Sequence, residues 1–259
     1  MLSIQGKKLC EFHGKRIEYA TSGQGDPTVI FIHGGGSADM DSWYKVYQLS
    51  KKMRRVFAYN RFGDGKSSQA KEPQTGKKVV ETLRQLLQHT KVIAPYILVA
   101  HSFGGLYANL FARLYPKEVV GVVLVDSSHP DQAKMMHEKS GIADTIYLLF
   151  YRIIINLFSR FNPSKGSELN SFDVTASQIN CAGAFPDVPL IVITAGKRST
   201  FILSSKDIKR IELLQKDLSA MSPQGRIVIA ENSKHCIQDS EPATIVKAIN
   251  EIIESTNTM

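Results

Sequence analysis

The chain has 259 residues, 43% hydrophobic and 22% charged, which is ordinary globular usage and excludes a disordered or fibrous protein. Lys and Arg outnumber Asp and Glu by 32 to 24, for a net charge of +8. The basic pairs Lys51/Lys52, Arg54/Arg55, Lys77/Lys78 and Lys197/Arg198 fall in different elements without interleaved aromatic residues, which argues against a nucleic-acid partner.

From the N-terminus, Lys8 to Phe12 and Arg16 to Thr21 flank a short connection containing His13 and Gly14, and read as an antiparallel hairpin at a sheet edge. Apolar runs of strand length follow: Thr28 to Ile32, Arg54 to Tyr59, Tyr96 to Ala100, Val119 to Val125, Leu190 to Ala195 and Gly225 to Ala230. Segments with apolar residues three or four apart separate them and predict helices over Ser42 to Lys52, Gly76 to Thr90, Gly104 to Leu114, Lys206 to Met221 and Pro242 to Ser255. Alternating strands and helices predict an α/β fold, a mostly parallel sheet with helices on both faces and one core.

Residues 129–186 break the alternation, so the expected domain organisation is a core of 1–128 and 187–259 with a helical lid, or cap, over 129–186. Ile142 to Phe161 has the length of a membrane span, but Arg152, Asn156 and Arg160 recur every four residues and form a polar stripe. An amphipathic lid fits that pattern better, with weak membrane-surface contact as a second and compatible reading.

Cys10, Cys181 and Cys236 have neither the number nor the spacing of a disulfide framework or a zinc site, and fit a reducing cytoplasm. The first residues lack the apolar run and cleavage site of a secretory signal, so the mature chain is expected to begin near Met1.

The chemistry concentrates at three places. YILVA runs directly into HSFGGLYANLFARLYP, which puts Ser102 on a strand-to-helix turn with the small residues Ala100 and Gly104 two positions to either side. That is a nucleophile elbow, with alanine where the usual GxSxG pattern begins with glycine. An oxyanion would need backbone donors: Phe103 supplies one at a helix N-terminus, and the FIHGGGS loop supplies the other, from Gly35 or else Gly34 or Gly36. Of seven histidines, His235 alone follows the last strand and precedes the final helix, which places it at the carboxyl edge beside Ser102 as the base. His33 and His101 belong to the two motifs and read as structural supports, and His129 and His137 open the lid.

AYNRFGDGKSS, HSFGGLYANLFARLYP and VVLVDSSHPDQ together resemble the α/β-hydrolase superfamily, and in particular its small lidded bacterial hydrolases, over residues 5–130 and 187–255. Asn60 stands where those relatives have Asp, a local change outside the catalytic set. GDGKSS lacks the glycine that a phosphate loop needs five positions before Gly65.

The loop after Leu190 to Ala195, where such hydrolases often keep their acid, carries Lys197 and Arg198 and no carboxylate. Asp126 ends the preceding strand at the same edge. Some superfamily members, the haloalkane dehalogenases among them, place the acid there, and the resemblance implies that choice. Asp187 precedes its strand, Asp207 starts a helix and Asp239 follows His235 too closely.

The expectation is a serine hydrolase of carboxylic esters or thioesters without metal or organic cofactor, taking a small-molecule ester. Ser102 is the nucleophile, His235 the base and Asp126 its acid, with Gly35 and Phe103 at the oxyanion. The alternatives are an N-terminal peptidase or amidase with the same triad and a catalytically silent protein used for ligand sensing or protein contact.

Overall fold

TVIFI, YILVAH, VVGVVLV and LIVITA are apolar on both faces, the pattern of parallel strands covered by helices on either side, and nearly every residue in them is buried. The structure, a computed structural model, describes residues 2–12, 14–132, 159–198 and 204–256. Eight strands form one sheet: β1 (Lys8–Phe12), β2 (Lys15–Ser22), β3 (Thr28–Ile32), β4 (Val56–Tyr59), β5 (Tyr96–His101), β6 (Val119–Val125), β7 (Leu190–Ala195) and β8 (Gly225–Ala230). Their spatial order is β1-β2-β4-β3-β5-β6-β7-β8. The hairpin of β1 and β2 is antiparallel and β2 joins β4 antiparallel, while β4, β3 and β5 to β8 run parallel.

Helices cover both faces. On one, α2 (Gly76–His89) and α3 (Gly104–Leu114) pack Val79, Leu83, Leu86, Leu106 and Leu110 against Ile30, Leu98 and Val122. On the other, α1 (Tyr44–Ser50) and α8 (Pro242–Thr256) pack Val46, Ile245, Ile249 and Ile252 against Val29, Ile97 and Val123. The chain therefore leaves β3 toward one face and β5 toward the other. At such a switch point a crevice opens beyond the carboxyl ends of the strands, which is where α/β sheets hold their ligands.

The expected fold class is the observed one, with shifted boundaries. Arg54 and Arg55 lie in the turn before β4, because the Arg54 N–H still donates to the Ser50 carbonyl. The helix expected from Ser42 begins as a 3₁₀ turn, Met40–Trp43, capped by the Asp39 side chain. α6 (Ser205–Ser219) starts at a capping box in which Ser204 and Asp207 bond each other's backbone. Between β6 and β7 stand α4 (Pro163–Asn170) and α5 (Phe172–Asn180), and α7 (Ile237–Ser240) precedes α8. Most of the expected Ile142 to Phe161 helix, with His137 and residues 199–203, lies outside the described residues, as does His13. Among the described residues no helix is long and apolar enough to cross a membrane.

α8 holds one face through side chains such as Ile249, which is 1% exposed. Ile249→Ala should lower the unfolding free energy by about 3 kcal/mol, measurable by urea denaturation.

Candidate active site

β5 delivers Ser102 in the left-handed region, φ +51°, a conformation that costs a non-glycine residue energy and that its neighbours must enforce. They do so through the backbone. The Ser102 N–H donates to the Val125 carbonyl (3.1 Å), the Ser102 carbonyl accepts from the Ser128 N–H (3.0 Å), and the Gly105 N–H closes the turn on the same carbonyl (3.0 Å). Gly104 lies against the end of β3: a Cβ there would fall 2.5 Å from the His33 carbonyl oxygen and 2.7 Å from that of Ile32. Only glycine lets α3 start so close to that strand. Ala100, fully buried in β5, meets the same need for a small residue on the other side.

One strand over, Asp126 has φ +40°, and its N–H donates to the Ile193 carbonyl at 2.7 Å, which sets it at the same sheet edge as Ser102. His235 reaches that edge from the loop after β8. Its Nε2 is 3.1 Å from Ser102 Oγ and its Nδ1 is 2.7 Å from Asp126 Oδ2. The other oxygen, Oδ1, accepts from Arg198 Nη2 at 2.7 Å and from the Ala195 N–H at 3.2 Å. Burial pushes the Asp126 carboxyl up, but the hydrogen bond from His235 and the charges of Arg198 and His235 outweigh it and bring it to about 2. The competing carboxylates are elsewhere. Asp187 bonds the Gln224 side chain before β7 (2.9 Å), Asp207 caps α6, and Asp239 lies in α7.

His101 has a definite task beneath His235. Its Nε2 bonds the His235 carbonyl at 3.0 Å, and the two rings lie tilted at 45° with centroids 4.6 Å apart. Burial, and then the charge of His235, push the His101 imidazole down to about 4. Near neutrality the ring is uncharged, and because a carbonyl only accepts, the proton sits on Nε2.

The glycine loop after β3 lies over this turn. A Cβ on Gly34 would be 3.3 Å from Ser102 Cβ; one on Gly35 would be 3.2 Å from Phe103 Cβ and 3.6 Å from Leu169 of α4; Gly36 has φ +65° and open space. Phe103 precedes α3, so its N–H is among those that a helix start leaves without an intrahelical partner.

Arg61 holds the loop from below, donating through Nη1 to the His33 carbonyl (2.8 Å), through Nη2 to the Gly34 carbonyl (2.7 Å) and through Nε to Glu168 of α4 (2.8 Å). Its guanidinium also lies 5.2 Å from the Tyr107 ring centre. Beside it, Asp64 faces Lys165 of α4 at 2.5 Å and His33 Nε2 at 3.4 Å. Burial, with the Arg61 charge next, holds His33 well below the ordinary imidazole range. Two ion pairs, both with nearly buried partners, thus join α4 to the loop after β4, and the Arg61 hydrogen bonds carry the connection on to the loop after β3.

The residues that sequence reasoning missed are Arg61, Asp64, Lys165, Glu168 and the pairing of Arg198 with Asp126. Arg61 and Asp64 stand inside the AYNRFGDGKSS motif, which was the available signal; Glu168, 107 residues from its partner, had none. Asn60 has a local reason. Its Oδ1 accepts from the Met40 N–H (2.8 Å) while its Nδ2 donates to buried Glu18 (2.8 Å), and an aspartate there would set two carboxylates against each other.

A family model described as alpha/beta hydrolase fold matches residues 27–168, more than half of the chain and the part holding Ser102, Asp126 and the glycine loop. The chain belongs to the α/β-hydrolase family. An AB hydrolase superfamily protein of Gibberella zeae is 31% identical, covering 87% of this chain and 86% of its own. An uncharacterized protein, YqjL, of Bacillus subtilis is 24% identical over 94% of this chain and 88% of its own. Other relatives are longer, and the chain spans 50%, 41% and 32% of three of them. Among solved structures, the enol-lactonase of Burkholderia xenovorans superposes with a TM-score of 0.69 at 17% identity, covering 95% of this chain and 100% of that one, a likeness of fold.

Two outcomes test this hydrolase's polar frame. Glu168→Ala leaves the Arg61 guanidinium buried without its anion and should cost about 3 kcal/mol of stability, read from denaturant midpoints. His101 and His33 both stay neutral in the folded protein at a pH where the unfolded chain, near 6.5, takes up a proton. The stability they contribute is whole above about pH 6.5 and is lost as the pH falls toward the folded His101 value of about 4. Urea unfolding should show a loss of about 2 kcal/mol from His101 between pH 6.5 and 5, and His101→Asn should flatten that slope.

Proposed function

We propose that this α/β hydrolase is a serine hydrolase that cleaves carboxylic esters or thioesters of small molecules through an acyl-serine intermediate. The observation that carries the reading is the contiguous relay: Ser102 Oγ to His235 Nε2 at 3.1 Å and His235 Nδ1 to Asp126 Oδ2 at 2.7 Å. A serine hydroxyl is a weak nucleophile until a base removes its proton, and a base at hydrogen-bond distance, oriented by an anion, supplies that activation.

His235 Nε2 takes the hydroxyl proton as Ser102 attacks the carbonyl carbon. Nδ1–H, bonded to Asp126, keeps the other nitrogen free for that proton and shares the positive charge that develops. The oxygen of the tetrahedral intermediate lies between the Phe103 N–H and the glycine loop, with Gly35 as second donor because it packs on Phe103. His235 returns its proton to the departing alcohol or thiol, and water then repeats the sequence on the acyl-serine. The chain's own groups supply every role, so the mechanism calls for no metal or cofactor.

Leu169 and Phe172, on the helices between β6 and β7, approach Gly35 and Phe103, the latter ring to ring at 5.7 Å between centroids. In this reading they are part of a lid over 129–186 that forms the acyl side of the site. The enol-lactonase, whose name describes a cyclic ester, agrees with ester chemistry on the same fold. Three free cysteines suit a reducing cytoplasm.

A fluorophosphonate probe should label the full-length protein at Ser102 and leave Ser102→Ala unlabelled; a folded wild type that stays unlabelled removes the proposal in favour of a silent fold. A panel of p-nitrophenyl esters and aminoacyl anilides should show turnover of the esters. Asp126→Asn should lower kcat by about 10³-fold or more, whereas Asp207→Asn leaves it nearly unchanged.

A further inference from the structure

The corner after β7, where the sequence has cations instead of an acid, is not empty of function. The loop is tied to the one that carries His235, since the Gly196 N–H donates to the Ala230 carbonyl and the Lys197 N–H to the Ser233 carbonyl, each at 2.9 Å. From it the Arg198 side chain, only 12% exposed, turns inward to the Asp126 carboxylate, which is 3% exposed. Nη2 sits between Asp126 Oδ1 at 2.7 Å and Thr194 Oγ1 at 2.8 Å. A surface arginine has no need of such a place, and taking both charges out of water is costly unless the pair has a task.

We propose that Arg198 is a positioning residue for the hydrolytic reaction: it clamps Oδ1 of Asp126, commits Oδ2 to His235, and weakens the hold of the carboxylate on a protonated imidazole. The inference rests on the hydrolase reading given above. Its physical basis is that a carboxylate can turn either oxygen toward a partner. With Arg198 and the Ala195 N–H on Oδ1, rotation would break two bonds at once. The second effect is electrostatic. A buried carboxylate attracts a neighbouring cation strongly, and a guanidinium 2.7 Å from the same carboxylate offsets part of that attraction.

Among the described residues, the groups facing His235 and Asp126 are few. β5 contributes His101, neutral near pH 7; the loop after β6 contributes Asp126; the loop after β7 contributes Arg198 and the exposed Lys197; the loop after β8 contributes the exposed Lys234 and the Cys236 thiol, which burial pushes up; and α7 contributes Asp239. Arg198 is the cation among these that bonds the carboxylate.

The test is kcat/KM against pH for a p-nitrophenyl ester with the wild type, R198Q, R198M and R198K, each checked by thermal unfolding. R198Q and R198M should move the acid limb up by about one pH unit and lower the plateau kcat by about 10-fold with little change in KM. R198K keeps the charge and should hold the limb close to wild type. An acid limb unmoved in whichever of R198Q and R198M folds overturns the proposal, as does an R198K limb displaced as far as theirs, because a merely structural side chain gives either pattern. A wild type that neither hydrolyses esters nor takes the fluorophosphonate is a different result, and sinks the hydrolase reading itself.

Discussion

The arrangement depends on a single close approach, that of the first turn of α3 to the last residues of β3. Gly104 makes it sterically feasible by presenting no side chain to the Ile32 and His33 carbonyls. Because β5 must pass into α3 across that contact, Ser102 is driven into a left-handed conformation, and the glycine loop that leaves β3 is forced to lie over the same turn. The strained turn that presents the Ser102 hydroxyl and the glycine loop that lies over it are thus two results of one steric condition. The cost of the unfavourable backbone is spread over the neighbouring strand and its loop, through the bonds that Ser102 makes to Val125 at the end of β6 and to Ser128 just beyond it.

Around that contact the protein uses ionic pairs where most of its core uses aliphatic packing. Asp126 with Arg198, Arg61 with Glu168 and Asp64 with Lys165 are all nearly buried. Such pairs contribute little net stability compared with well-packed apolar residues of the same size, yet they are demanding about direction, since each misplaced donor leaves a charge unsolvated. Hydrophobic layers on both faces of the sheet supply the bulk of folding energy, and the ionic pairs supply orientation at the edge where chemistry needs it. Neutral His33 and His101 fit the same division, because an added proton at either would disturb a nearby guanidinium or imidazole.

Much of this was legible in the residues. Leu190 to Ala195 and Gly104 to Leu114 read correctly because continuous apolar runs and a 3.6-residue period leave little choice of structure. Ser102 and His235 could be named from their order relative to a strand end and Asp126 from the family resemblance, and the sheet brings the three to one edge. The first helix was read two residues late, since Asp39 caps a 3₁₀ turn that has no periodicity of its own. The lysine and glutamate of α4 could not be found, for they lie in a stretch without a repeating pattern and their partners are about a hundred residues away. Arg198 was visible as a missing acid but not as a partner of the one present, because only the folded chain shows that the two neighbouring loops share a carboxylate.

The two pairs that join α4 to the loop after β4 carry an implication for recombination among relatives. Lys165 and Glu168 belong to the stretch between β6 and β7, whereas Asp64 and Arg61 belong to the frame beneath it. A chimera that imports this stretch from a homologue would strand one cation and one anion inside the frame unless matching partners travelled with it. The outer piece and the frame are therefore inherited as a linked set of distant positions, and exchanging the outer piece by itself gives a protein whose glycine loop has lost its anchor.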